Sequence, residues 1–143
     1  MPGIKSVPDT NVVIARHKSI HFQSPNVEFF TRWRKGEFVV CYSHDTLLED
    51  ASKLRAMGIG RPKIVNFLRI FAKLGEVVPI STYLLKVYPV DTDDIAFVLC
   101  AVNGSATHLV SYDTHFLDLD GEYPFQICRT VEFLGILNKN LGA

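Results

Sequence analysis

Four carboxylates stand where an alternation of strands and helices can bring them to one edge. Asp9 follows the short β-like run Ile4–Val7 and Pro8, Glu49 lies in the second turn of a helix begun at Ser43, Asp94 lies in the first turn of the helix after Val90, and Asp113 follows the run His108–Tyr112. Carboxylates gathered in one cleft repel one another and raise each other's pKa unless a cation lies among them. The chemistry that fits is divalent-metal binding. Oxygen ligands with no His or Cys at ligand spacing favour Mg²⁺ or Mn²⁺ over Zn²⁺. Singly, each acid has a plainer use. Asp9 in Asp-Thr-Asn can start an Asx-turn, Asp91-Thr-Asp-Asp94 can be a helix N-terminus favoured by the macrodipole, and Glu49 and Asp113 can be solvated. The joint pattern is what points to a site: a strand end, a helix, a helix start and a second strand end, in that order.

The elements that must position these residues follow from pattern. Ile4–Val7 predicts a strand ending at Pro8-Asp9. Ser24-Pro25 predicts a helix start with a stop at Gly36, and Phe38–Tyr42 a buried strand. Ser43 caps a helix carrying Leu47, Leu48, Ala51 and Leu54, which ends near Gly58. A further helix begins at Arg61-Pro62 and stops at Gly75. After an extended stretch to Val90, Asp91 or Thr92 caps a helix reaching Asn103-Gly104. His108–Tyr112 and Phe125–Cys128 are strands, and Thr130 caps a last helix through Leu137. Strands separated by helices imply an α/β class with a mainly parallel sheet covered on both faces. In such sheets ligands bind beyond the carboxyl ends of the strands.

Composition bounds the rest. The 143 residues are 48% hydrophobic and 21% charged, which suits one globular domain over 1–143 with a core that needs no disulfides. The longest apolar run, Ile95–Val102, is far short of the ~18 residues of a membrane span. Met-Pro-Gly-Ile-Lys resembles neither a secretory signal nor a lipidation motif, so the expected compartment is the cytoplasm. Cys41, Cys100 and Cys128 each sit in an apolar run and read as reduced core residues. The balance of 15 basic against 15 acidic residues hides a division: residues 1–75 carry +6 and residues 76–143 carry −6. Seven of the nine later acids fall between Asp91 and Glu122, too dense for an evenly solvated surface.

Asp9-Thr10-Asn11-Val12-Val13 resembles the opening motif of the PIN domain (PilT N-terminus) family, and Ser43-His-Asp-Thr-Leu-Leu-Glu49 resembles its second. Asp91-Thr-Asp-Asp94-Ile-Ala-Phe-Val-Leu-Cys-Ala101 and Ser105-Ala-Thr-His-Leu-Val-Ser111-Tyr-Asp113-Thr-His-Phe116-Leu117 are similar to the third and fourth. Val131-Glu-Phe-Leu is similar to the family's last helix. The likeness spans nearly the whole chain and is strongest to the toxin subgroup of toxin–antitoxin pairs, the VapC-like ribonucleases. It implies a three-layer α/β/α fold, PIN-like, with Asp9, Glu49, Asp94 and Asp113 as the catalytic and metal-binding quartet. Asp94 is chosen over Asp93 because it lies seven residues before the small Ala101. Asp91 and Asp93 become capping or supporting residues, and Thr10, Asn11 and Ser111 match small polar positions that orient the carboxylates. Pro8 departs from the aliphatic residue usual there.

The resemblance further implies hydrolysis of RNA phosphodiesters with one or two Mg²⁺ or Mn²⁺ ions, leaving 5′-phosphate and 3′-hydroxyl ends. It also implies a homodimer and an antitoxin protein that blocks the site. Candidate RNA contacts in the basic half are Arg16, Lys18, Arg34, Lys35 and Arg55, with His17, Arg32, Arg61 and Lys63 behind them. Trp33, Tyr42 and Phe22 are candidate stacking surfaces. Two alternatives compete. One is a non-catalytic PIN-like module that binds RNA or protein. The other is a phosphatase, because Val90-Asp91-Thr-Asp93 resembles a D-x-D nucleophile loop of the haloacid dehalogenase type, although only 52 residues follow Asp91.

Overall fold

The first strand of the chain lies at the centre of its sheet. In the computed structural model, which describes residues 3–18 and 24–141, five strands pair in parallel in the order β3-β2-β1-β4-β5. They are β1 (Lys5–Pro8), β2 (Val39–Tyr42), β3 (Glu76–Val77), β4 (His108–Val110) and β5 (Gln126–Cys128). The chain builds outward from β1 through β2 to β3, then returns to the other side of β1 for β4 and β5. The strand order therefore reverses between β1 and β4, which is where a doubly wound sheet opens a crevice at its carboxyl edge. Phe22, considered above for stacking, lies outside the described residues.

Among the described residues seven helices cover the sheet: α1 (Thr10–Lys18), α2 (Pro25–Arg34), α3 (His44–Ala56), α4 (Arg61–Leu74), α5 (Ile95–Asn103), α6 (Thr114–Leu117) and α7 (Thr130–Leu141), with a 3-10 turn over Thr92–Asp94 before α5. Period-two alternation along the strands divides the core. Val7, Cys41, Leu109 and Ile127 face Phe97–Ala101 of α5, while Val40, Val110 and Cys128 face Val12, Phe29, Phe71 and Phe133 from α1, α2, α4 and α7. This is the expected three-layer α/β/α, PIN-like architecture. The three cysteines are free and buried. Among the described residues no helix is long and apolar enough to cross a membrane.

The structure adds three elements to those the pattern predicted. α1 reads Thr-Asn-Val-Val-Ile-Ala, a β-branched run with poor helix propensity. It is helical because the sheet buries Val12 and Val13 completely and Asp9 O accepts from the Val12 amide at 3.0 Å. β3 is two residues long and exposed, too short to leave a periodic trace; it is defined by pairing, Cys41 against Glu76 and Tyr42 against Val77. α6 is a single turn set by its cap. Two caps also differ. The Ser24 side chain makes no capping bond and leaves the start of α2 to Pro25. Thr130 lies inside α7 and donates its hydroxyl to Asn26 Oδ1 at 2.9 Å, while Glu132 accepts from the Arg129 amide at 3.0 Å. Ser43 caps α3 as expected, in a reciprocal pair with Thr46.

Pro8 is accommodated by the topology. Asp9 N–H points to β4, donating to Val110 O at 2.9 Å, so by alternation the Pro8 nitrogen faces β2. The β1–β2 ladder has already ended at Ser6 opposite Val40, whereas Pro8 stays in register with Val110 on β4. The missing donor falls where the strands are parting.

Candidate active site

Asp9 is the first residue past β1 and is nearly buried at 2% exposure. Its Oδ1 accepts from the Thr10 amide at 2.7 Å and its Oδ2 from the Ser111 hydroxyl at 2.8 Å. Burial outweighs these donors and pushes its carboxyl up to about 6, with repulsion from Asp113 adding to the rise. The Ser111 oxygen in turn accepts from the Asp113 amide at 3.0 Å, so one hydroxyl at the end of β4 ties both strand-end acids together. Asp113 Oδ1 accepts from the His115 amide at 2.9 Å and so caps α6.

The other two acids come from helices. Glu49 lies in α3, and its carboxyl is raised first by burial and then by Asp93. Asp94 ends the 3-10 turn, anchored by its amide to Asp91 O at 3.1 Å. Burial, then Asp9 and Asp91, push it up to about 7. Glu49 Oε2 and Asp94 Oδ2 are both buried and, among the described residues, have no hydrogen-bond partner. A buried carboxylate oxygen without a donor is costly, so such an atom needs a proton or a cation.

Asp9, Glu49, Asp94 and Asp113 line one cleft of about 170 Å³ at the β1–β4 crevice, together with Asp91, Asp93 and Lys53. Asp91 Oδ1 accepts from the Asp93 amide at 2.9 Å and caps the 3-10 turn, and Asp93 pairs with Lys53 at 3.2 Å. Thr10 supports Asp9 through its amide, whereas its hydroxyl donates to Asp50 at 2.9 Å. Asn11 is exposed and assists Asp9 through its backbone amide.

Two residues, one lining this cleft and one behind it, are not among those the sequence pattern singles out. Lys53 follows Glu49 at i, i+4 on one helix face, a spacing that makes it visible in principle. Asp50 is 2% exposed behind Thr10, and burial holds its carboxyl well above the usual range. Nothing in Leu-Leu-Glu-Asp-Ala-Ser distinguishes it from a solvated helix residue.

Whether these residues suit a divalent ion can be judged from the cleft itself. The donors are all hard oxygens, and two of them are buried without donors. Among the described residues no three His, Cys, Asp or Glu side chains are drawn together around a single point. Mg²⁺ keeps several of its waters and is held through one or two carboxylates, so an acid-lined cleft of this kind fits it without a closed protein cage.

The basic candidates are dispersed. Arg16 and Arg34 line a second cavity with Lys63, Arg55 lines an apolar groove with Leu48, Ile59 and Ile64, and Lys18 and Lys35 are exposed. Arg32 is held by Glu37 at 2.7 Å and Glu28 at 3.4 Å. Trp33 is 3% exposed and packs on Phe30 and Phe71, and Tyr42 packs edge-on against Phe71. Trp33 is therefore a core residue with no open face for a base, because amphipathic α2 turns it inward.

No family model matches the sequence, and no curated protein matches it. Solved structures do. The fold is similar to a chain of the crystal structure of VapBC2 from Rickettsia felis bound to a DNA fragment from their promoter, with a TM-score of 0.59 and 13% identity, covering 87% of this chain and 97% of that one. Identity this low establishes likeness of fold.

Proposed function

We propose that this chain is a metal-dependent endoribonuclease and the toxin of a toxin–antitoxin pair. The observation that carries the reading is the meeting of Asp9, Glu49, Asp94 and Asp113 in one cleft, with a buried oxygen of Glu49 and another of Asp94 left without donors. Mg²⁺ or Mn²⁺ held in this cleft through one or two of these acids and its own waters would polarise the scissile phosphate and lower the pKa of a bound water. The protein supplies orientation. Ser111 and the Thr10 amide fix both oxygens of Asp9, and Ser111 couples Asp9 to Asp113, so two acids from adjacent strand ends keep a set spacing. Asp91 builds the turn that presents Asp94. Products would carry 5′-phosphate and 3′-hydroxyl ends. Likeness of fold to a chain of a VapBC2 complex supports an antitoxin partner, and homodimer formation is part of the same proposal.

The phosphatase alternative loses its footing. Among the described residues no strand leads into Asp91, which follows an irregular, exposed Val90 and serves as a cap. The test is cleavage of single-stranded RNA with Mn²⁺ or Mg²⁺, blocked by EDTA and by Asp94→Asn. RNA that is bound but left whole by the wild type with either metal would favour the non-catalytic module, and full activity in Asp94→Asn would remove that residue from the site.

A further inference from the structure

Along α1 the sign of the surface reverses. Thr10, Ile14 and His17 share one face of this helix at i, i+4, i+7 spacing. Thr10 and Ile14 line the acidic cleft, whereas His17 lines a cavity of about 240 Å³ between α1, α2 and α4. Three cations reach this cavity from three helices, Arg16 from α1, Arg34 from α2 and Lys63 from α4, and no carboxylate lines it. Among the described residues none of the three forms an ion pair. Arg32, on the same helix as Arg34, is by contrast tied to Glu37, Glu28 and Asn138.

The wall behind these cations is dry. Trp33 and Phe67 are 3% and 6% exposed, and His17 stands edge-on to Phe67 with ring centroids 4.9 Å apart, its Nδ1 donating to Val13 O at 2.9 Å. Unpaired cations over an apolar wall attract an anion more strongly than the same charges in open water. Two arginines and a lysine lining one cavity from separate helices offer guanidinium forks and an ammonium that suit the several oxygens of a phosphate. The aromatic rings are too covered to stack a base, so the cavity offers charge without base recognition.

We propose that this cavity seats a backbone phosphate of the strand that is cut in the acidic cleft; the inference rests on the nuclease reading above. From Asp9 to Arg16 the helix advances roughly 10 Å. At a stacked rise of ~3.4 Å per residue this is about three nucleotides, fewer for an extended strand. The seat would hold the RNA in register while the acids act on a phosphate further along it.

The experiment is fluorescence anisotropy of a short labelled single-stranded RNA with the intact chain in EDTA, across a salt series. Arg34→Gln with Lys63→Gln is compared with Arg69→Gln with Lys73→Gln, which removes equal charge from exposed positions of α4 outside the cavity. Thermal melts check that both pairs remain folded. The cavity pair should weaken binding roughly tenfold and flatten the salt slope by about 0.7 for each phosphate no longer neutralised, with less than a twofold weakening in the control pair. Equal weakening in the two pairs would overturn the proposal. Adenosine monophosphate and inorganic phosphate serve as competitors. If the wild type binds no RNA yet binds the mononucleotide through Arg34 and Lys63, the strand assignment is overturned in favour of a free nucleotide. If RNA binds through the cavity but is never cut with Mn²⁺, the phosphate seat stands and the nuclease reading fails.

Discussion

Replacing Asp94 by Asn should stabilise the metal-free protein at neutral and alkaline pH while abolishing activity. In the folded chain the Asp94 carboxyl is pushed from 3.8 up to about 7, first by burial and then by Asp9 and Asp91. Because the folded value is raised, the native state binds more protons than the unfolded chain between these limits. The contribution of Asp94 is therefore fully present below pH 3.8 and is lost as pH rises through about 7. The nominal size of that loss is about 4 kcal/mol at 1.36 kcal/mol per pKa unit. Asp94 borders an open cleft, and solvent screening reduces this to about 2 kcal/mol. Asn mimics the protonated acid in shape and never ionises. Urea denaturation in EDTA should show Asp94→Asn about 2 kcal/mol more stable than wild type at pH 8, with the gain shrinking toward zero near pH 4. In a melt this corresponds to a rise of about 4–8 °C. Saturating Mn²⁺ should reverse the order, since ligand at a hundredfold excess over Kd stabilises only the protein that binds it, by about 2.7 kcal/mol. A variant less stable than wild type at pH 8 in EDTA, or a gain independent of pH, would refute the claim that uncompensated carboxylates strain this cleft.

Other perturbations test its supports. Ser111→Ala removes the donor to Asp9 and the acceptor for the Asp113 amide; unfolding should be easier by about 1–3 kcal/mol, and Mn²⁺ affinity measured by calorimetry should fall. Lys53→Gln withdraws the cleft's lysine; Mn²⁺ should bind a few-fold more tightly, and unchanged affinity would show that Lys53 does not compensate the acids. Gly75→Ala places a Cβ 2.7 Å from Phe71 O and 2.8 Å from the Tyr42 ring, and should cost about 1–3 kcal/mol in urea unfolding.

The major elements were legible because each leaves a local trace. Ser43 with Thr46, Pro25, Pro62 and Gly75 punctuate α2, α3 and α4, and the apolar runs before Tyr42 and Tyr112 mark buried strands. The acids stood out for the same reason, since Asp9 and Asp113 follow recognisable strands, Asp94 starts a recognisable helix and Glu49 lies in the second turn of another. α1 and β3 were hidden. The former contradicts its own propensity and is helical only where the sheet buries it; the latter exists only as a partner for Cys41 and Tyr42. Trp33 illustrates the converse error, because exposure is a property of the assembled layers.

The sequence by itself therefore determined the α/β alternation, the acids at the ends of its elements and the opposite charges of its two halves. Chain order, periodicity and charge are local properties. Tertiary structure alone decided that β1 sits between β2 and β4, so that Asp9 and Asp113 share Ser111 and stand opposite Glu49 and Asp94. It also decided that Asp50 is buried, that Lys53 lines the cleft, and that Arg16, Arg34 and Lys63 line one cavity while Arg55 lines another. Burial, pKa and the pairing of charges depend on what packs across a gap. Those neighbours lie tens of residues away along the chain.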